Sequence, residues 1–180
     1  MTEPLPPPEP DPSYSQGRIS LSLGFGLGMF LIMVPVAFLW LLAFLRVPQP
    51  PAQVALQRSI PCFLLALAGL SLDAAALKVF LSLGRGTQMP FTPTLQLVTA
   101  GPFRFTRNPI LLGVSLYYLG IAALPYGWPL GSVVGAASLV GGGLYYWIFE
   151  EPRLEARFGE PYRAYRRRTP FLIPSLRIRP

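Results

Sequence analysis

Two adjacent carboxylates and a group of polar residues before a helix are the side chains best suited to chemistry. Glu150 and Glu151 directly follow an apolar run, and Arg104, Arg107 and Asn108 directly precede another. Carboxylates at the end of a membrane helix are costly to desolvate and must find partners. Two interpretations stay open. The pair binds the two arginines and pins the segments together, or it lines a pocket for a polar ligand that carries positive charge.

The absence of histidine limits the reactions that these side chains can catalyse. Without imidazole the chain lacks the usual general base near neutral pH and can form no Ser-His-Asp or Cys-His arrangement. Cys62 is the single cysteine and lies in an apolar run, so an intrachain disulfide and a cysteine-based zinc site are both ruled out. We predict a reaction that uses no metal.

The composition indicates which elements position these residues. Hydrophobic residues make up 52% of the 180 residues and charged residues only 13%, which is typical of a membrane protein and not of a water-soluble globule. We predict an all-α integral membrane protein with four, or at most five, transmembrane helices. The predicted spans are residues 21–45, 60–83, 109–124 and 130–149.

Loops and ends divide the chain into three parts. Residues 1–17 are acidic and proline-rich without a cleavage pattern, which predicts a disordered tail and not a signal peptide. Residues 18–83 would hold two N-terminal helices joined by a proline-containing loop at 46–58. Residues 84–180 would hold a long loop, a helical hairpin with a tight turn at 125–129, and a basic tail.

Basic residues predict the orientation. The loop at 84–108 and the C-terminal tail are strongly positive and fall on one side of the membrane, which the positive-inside rule makes cytoplasmic. Four spans then place both termini in the cytoplasm, and a bacterial inner membrane is favoured. Nucleic-acid binding would also explain the charge, but no DNA- or RNA-binding pattern accompanies it. The expected partner is therefore the bilayer, with no nucleic acid.

Charged and small residues inside the predicted helices need separate explanations. Lys78 is expected to extend toward the nearer interface, while Asp73 faces the bundle interior either for a buried hydrogen bond or for a function. The glycines at 24–28 and 141–143 match no nucleotide-binding loop. They predict close packing between helices.

The polar loop and the tail meet at one end of the hairpin, and both resemble a known family. The two segments, in order, read Leu97-Val-Thr-Ala-Gly-Pro-Phe-Arg-Phe-Thr-Arg-Asn-Pro-Ile-Leu-Leu-Gly113 and Glu150-Glu-Pro-Arg-Leu-Glu-Ala-Arg-Phe-Gly-Glu-Pro-Tyr-Arg-Ala-Tyr165, the second followed by Arg168-Thr-Pro-Phe-Leu-Ile-Pro174. Over residues 84–174 the chain resembles the isoprenylcysteine carboxyl methyltransferase and phospholipid methyltransferase superfamily. Asn108 stands where that family has histidine, and Leu111 where it has its second tyrosine.

The resemblance implies a membrane methyltransferase that binds S-adenosylmethionine between the loop and the tail. Glu150 would accept hydrogen bonds from the ribose hydroxyls or the amino group, and apolar side chains would pack the adenine. A poorly solvated sulfonium is the more reactive methyl donor. The positions that match the family's cofactor site are Gln88, Leu97, Val98, Phe103, Asn108, Pro109, Ile110, Leu111 and Glu150.

The resemblance also implies a membrane lipid or lipidated acceptor that carries a carboxylate, a thiol or an amine. An amine must lose a proton, whereas an anionic acceptor needs no base. Because the chain has no histidine, we expect an acceptor that is already anionic. The candidates for positioning it are Arg104, Arg107, Glu151 and Arg153.

Two other functions are compatible with this layout. An NADPH-dependent reductase of the membrane steroid-reductase type shares the C-terminal arrangement. A non-catalytic membrane interaction protein is suggested by Asn108 and Leu111, and it would bind neither cofactor.

Overall fold

Four long apolar helices form the part of the protein that the structure describes. The computed structural model describes residues 16–84 and 94–173, within which the chain contains helices and no strands. The helices long and apolar enough to cross a membrane are Ile19–Phe44, Leu56–Gly84, Pro109–Tyr126 and Trp128–Phe158. The predicted all-α membrane fold with four spans is confirmed. A helix begins at Gln16, and the predicted disorder of the N-terminal tail otherwise falls outside the described residues.

The spans contain short π-helical stretches between regular helices. The α-helices in the described ranges are α1 (Gln16–Leu27), α2 (Val34–Phe44), α3 (Ala52–Val79), α4 (Pro109–Tyr126), α5 (Trp128–Tyr145), α6 (Glu151–Phe158) and α7 (Glu160–Arg168). The π-helical stretches are Gly28–Met33, Phe80–Gly84 and Tyr146–Glu150, and a 3₁₀ turn covers Gly101–Arg104.

Pro35 explains the π-helical stretch in the first span. Proline has no N–H to donate, and its ring crowds the carbonyl four residues earlier, which is that of Leu31. The Leu31 carbonyl instead accepts a hydrogen bond of 2.7 Å from the Tyr117 hydroxyl, and the Phe30 carbonyl accepts one of 2.7 Å from Tyr118. Side chains of α4 therefore satisfy backbone groups that the bilayer could not.

The loop between the first two spans is shorter than the predicted 46–58. Pro51 is the last residue before α3, which begins at Ala52 as soon as the prolines end. Arg58 therefore lies on the helix, where it is buried and donates from Nη2 (3.1 Å) and Nε (3.3 Å) to the Leu124 carbonyl. A cation at the C-terminal end of α4 complements the helix dipole there.

Glycines at the helix crossings let α4 pack closely between α3 and α5. A Cβ at Gly69 of α3 would lie 2.7 Å from the Tyr117 backbone nitrogen, and one at Gly120 would lie 2.6 Å from the Cys62 carbonyl oxygen. Gly131 makes the corresponding approach between α5 and α4. The prediction for the glycine clusters holds only in part. Gly142 packs on Leu111 of α4, whereas a Cβ at Gly24, Gly28 or Gly141 would meet nothing within 4 Å.

The tail continues the fourth span and then turns back. α5, the π-helical stretch and α6 form one helix up to Phe158, longer than the predicted span ending at 149. Gly159 separates α6 from α7 with φ +59°, a conformation that favours glycine. Proline at the first helical positions of α6 and α7 suits both helix starts.

Candidate cofactor cavity at the end of the hairpin

Hydrogen bonds join the loop before α4 to the segment after α7. The Arg107 backbone N–H donates to the Pro170 carbonyl at 2.9 Å. The Phe171 carbonyl accepts from both the Thr106 hydroxyl (3.1 Å) and the Asn108 amide nitrogen (2.9 Å). The hairpin topology thus brings the two segments together, and Asn108 is one of the residues that hold them there.

The acidic pair is divided between two roles. Glu151 Oε1 lies 2.7 Å from Arg107 Nη2, and the two side chains are only 5% and 10% exposed. The approach is ionic, since no described residue completes a well-directed hydrogen bond to either Glu151 oxygen. Arg104, in contrast, is exposed and lies over the Phe105 ring. The interpretation that the arginines pin the hairpin therefore holds for Arg107 and Glu151.

Glu150 has no comparably buried partner among the described residues. It closes the π-helical stretch and is partly buried at the edge of a cavity, where its nearest cation is Arg153 at 3.9 Å. Arg153 is 61% exposed on its side chain, so this ion pair is weak and screened. Neighbouring residues on a helix point about 100° apart, which explains why Glu150 and Glu151 face different partners.

A cavity of about 510 Å³ lies where the loop, α4 and the tail meet. Its lining combines apolar residues of the 94–103 segment, of α4 and of the π-helical stretch Phe80–Gly84 with Asn108, Glu150 and arginines. The predicted site residues that line it are Leu97, Val98, Phe103, Arg107, Asn108, Pro109, Ile110, Glu150, Glu151 and Arg153.

Three predicted residues are not among this lining. Arg104 points to the surface. Leu111 lines a neighbouring apolar cavity, where it packs on Gly142 of α5. Gln88 falls outside the described residues.

Several lining residues were not predicted as site residues. They are Phe80, Thr94, Tyr145, Tyr146, Leu154, Arg157, Phe158, Tyr162 and Tyr165. The spacing of Tyr162 and Tyr165 placed both on one face of a short helix, and this signal could have identified them. Tyr145 and Tyr146 lie within an apolar run that gives no such signal.

The two tail tyrosines connect α7 to the loop. Tyr162 and Tyr165 are buried, and the Tyr165 hydroxyl donates to the Phe103 carbonyl at 2.6 Å. Burial raises the pKa of Tyr162 above that of a free phenol, and the Glu151 charge adds to this shift. Burial likewise raises the pKa of Tyr165. Both side chains are therefore neutral hydrogen-bonding groups at physiological pH.

Replacing Tyr165 with phenylalanine is expected to destabilise the docked tail. The substitution keeps the ring but leaves the Phe103 carbonyl without its donor, which costs about 1–3 kcal/mol when the group stays buried. The measurement is thermal unfolding of the purified protein. Tyr126→Phe, at the far end of the hairpin, is the matched control, and equal melting temperatures for the two variants would contradict the assigned role of Tyr165.

A second, larger cavity adjoins the first. It measures about 890 Å³, lies between the first span and helices α3 to α5, and is lined almost entirely by apolar side chains. Ile110, Tyr145 and Tyr146 line both cavities. The polar cavity at the hairpin end thus shares a wall with an apolar space at the depth of the spans.

The fold and the site define a multi-span helical protein with a partly polar cavity at one end of its C-terminal hairpin. Residues 58–161, more than half of the chain, match the phospholipid methyltransferase family. The chain belongs to this family of membrane methyltransferases. The superfamily that the loop and the tail resemble is therefore confirmed.

One curated relative is methanethiol S-methyltransferase 2 of Bradyrhizobium diazoefficiens. It is 35% identical to the chain over 74 residues. The matched part covers 41% of this chain and 27% of the relative. No solved structure matches the chain significantly.

Proposed function

We propose that the protein is an S-adenosylmethionine-dependent methyltransferase whose acceptor is a lipidic or lipidated molecule that enters from the bilayer. The main support for this proposal is the cavity at the hairpin end. It is lined by seven residues that the family resemblance assigns to the cofactor. They are Leu97, Val98, Phe103, Asn108, Pro109, Ile110 and Glu150. We propose a cytoplasmic position for this end of the hairpin, because both the loop and the tail are strongly basic.

The residues of the cavity fit this cofactor. Its volume of about 510 Å³ is within the usual range of small-molecule sites. Phe103 and the apolar side chains beside it offer a surface for the adenine, and Glu150 offers a carboxylate for the ribose hydroxyls or the amino group. When bound, S-adenosylmethionine supplies an activated methyl group.

In such a reaction the residues of the chain align the methyl donor with the acceptor and exclude water. A displacement at carbon is accelerated chiefly by holding the reacting atoms close and in line. The wall shared through Ile110, Tyr145 and Tyr146 supports entry of an acceptor from the apolar cavity toward the polar one. The tail, held over the loop by Tyr165 and Arg107, limits access of water from the polar side. Because the curated relative is named a methanethiol S-methyltransferase, a thiol is one of the acceptors to test.

Titration with S-adenosylhomocysteine tests this proposal. We expect saturable binding to the purified protein and binding about 10- to 100-fold weaker in Glu150→Gln, because charge-assisted hydrogen bonds to the ligand are lost. Calorimetry measures both affinities. Glu155→Gln is the matched control, since Glu155 pairs with Arg163 and Arg166 away from the cavity.

The same titration separates the competing functions. Absence of binding by folded wild-type protein would overturn the proposed function. Binding of NADPH in place of S-adenosylhomocysteine would assign the cavity to a reductase.

A further inference from the structure

Tyr146 lies on the wall that the polar and the apolar cavity share. It begins the π-helical stretch Tyr146–Glu150 and lines both cavities. Its phenol is within electrostatic reach of Glu150, which lines the polar cavity, and of Asp73, which lines the apolar one. The side chain therefore lies where a ligand in one cavity would meet a ligand in the other.

The Tyr146 hydroxyl is available to a ligand. No described residue makes a hydrogen bond to it, yet its oxygen is not both shielded and unsatisfied, as those of Asp73 and Glu151 are, and the residue is only half-buried. The hydroxyl of a tyrosine within a protein usually has a partner, and a phenol can both donate and accept a hydrogen bond. An accessible phenol without a partner on a cavity wall is suited to bind a polar group.

Other polar groups of the apolar cavity are engaged or closed off. The Tyr118 hydroxyl donates to a backbone carbonyl of the first span, and the Ser138 hydroxyl is bonded to another serine. Both oxygens of Asp73 are shielded, and a Cβ at Gly113 of α4 would collide with Oδ1. The buried hydrogen bond predicted for Asp73 has no partner among the described residues. These groups therefore leave the hydroxyl at the junction as the better ligand for a polar head.

The neighbouring Tyr145 also lines both cavities, but it belongs to an exposed helix face. Tyr145 is 45% exposed and packs against Phe149, which is 51% exposed. Residues next to each other on a helix point in different directions. Tyr146 is the less exposed of the two tyrosines, so it is the one that a ligand at the junction would contact within the protein.

We propose that the Tyr146 hydroxyl binds the head group of the methyl acceptor where the two cavities meet. The apolar chain of the acceptor lies in the apolar cavity, and the hydrogen bond holds its reacting end at the wall next to the cofactor cavity. The term acceptor rests on the proposed function, whereas the contact between Tyr146 and the head group of an amphiphile rests on the two cavities alone. Because a phenol both donates and accepts, carboxylate, thiol and amine head groups can all use it, and a plain hydrocarbon cannot.

Amphiphiles of one chain length test this contact without any transfer reaction. The full chain is placed in phosphatidylcholine nanodiscs and titrated calorimetrically with octanoate, octanethiol, octylamine and octane, and empty nanodiscs give the partition background. We expect at least one of the three polar ligands to bind above background. Its affinity should fall about 3- to 10-fold in Tyr146→Phe, the usual effect of one hydrogen bond. Octane binding should not change, because the substitution removes only the hydroxyl.

Two matched variants separate the contact from a general change in the cavity. Tyr118→Phe removes a hydroxyl of the same cavity that is already bonded, and Tyr145→Phe removes the neighbouring one. Both should leave the affinity of the polar ligand over octane within about twofold of the wild-type value.

The proposal would be overturned by any of four results. They are an unchanged affinity of the polar ligand in Tyr146→Phe, an equal loss for octane, an equal loss in Tyr145→Phe, or no polar ligand bound above background. A parallel S-adenosylhomocysteine titration of the wild-type protein keeps the two proposals apart. Its failure alone sinks the methyltransferase and leaves the contact with Tyr146 standing.

Discussion

Replacing Arg107 with alanine is expected to lower the free energy of unfolding by about 3–5 kcal/mol, the usual cost of leaving one member of a buried ion pair without its partner. Glu151, whose side chain is 5% exposed, would keep Arg166, at 3.7 Å, as its remaining cation among the described residues. Arg107 also donates from Nη1 to the Arg166 carbonyl at 2.9 Å, so the same change weakens attachment of α7. Thermal unfolding in detergent should show a fall of roughly 10 °C in melting temperature.

Two further variants test whether the loss of the buried ion pair causes the fall in stability. Arg104→Ala removes an arginine three residues away whose side chain is exposed over Phe105, and it should change stability by less than about 0.5 kcal/mol. The double variant Arg107→Met with Glu151→Leu should recover much of the loss, since well-packed apolar pairs can replace buried ion pairs. Equal effects of Arg104→Ala and Arg107→Ala would contradict the role assigned to the pair.

A valine at Gly69 is expected to be about as harmful as the loss of Arg107. Its Cβ would stand 2.7 Å from the Tyr117 backbone nitrogen and still closer to the Gly113 carbonyl oxygen. These are backbone atoms of α4, which cannot move aside as a flexible side chain can, so α3 and α4 must separate. We expect a loss of about 3 kcal/mol, the upper part of the range for overpacked interiors.

The separation of α3 and α4 should also have a local consequence. Asp73 lies one helical turn from Gly69 and fits beside Gly113, so the packing of its side chain on α4 should be lost along with stability. Gly141→Val is the matched control, because a Cβ at Gly141 meets nothing within 4 Å. Thermal unfolding of both variants measures the difference. A Gly69→Val protein as stable as Gly141→Val would show that the helices do not cross where the glycines indicate.

The sequence by itself determined the class of fold and the end of the molecule that holds the cavity. Apolar segments of membrane-spanning length predicted four helices, because a bilayer requires the backbone to be satisfied within each helix. The tight turn at 125–129 required the loop and the tail to meet, and the motifs there indicated the superfamily. Local periodicity did not reveal α6 and α7, whose boundaries depend on Gly159 and the prolines that follow Glu151 and Glu160.

Only the tertiary structure decided which of several similar residues form the buried ion pair, line the cavity or pack at the helix crossings. Glu150 and Glu151 are identical in type and adjacent, yet helix rotation turns Glu151 to Arg107 and leaves Glu150 at the cavity. Most of the packing glycines lie at the helix crossings outside the conspicuous clusters, of which Gly142 alone among the described positions packs tightly on α4. That Asp73 packs against Gly113 of α4 was likewise visible only once the two helices were seen to cross there. These facts depend on where separate helices cross and how each is rotated about its axis, which no local stretch of sequence specifies.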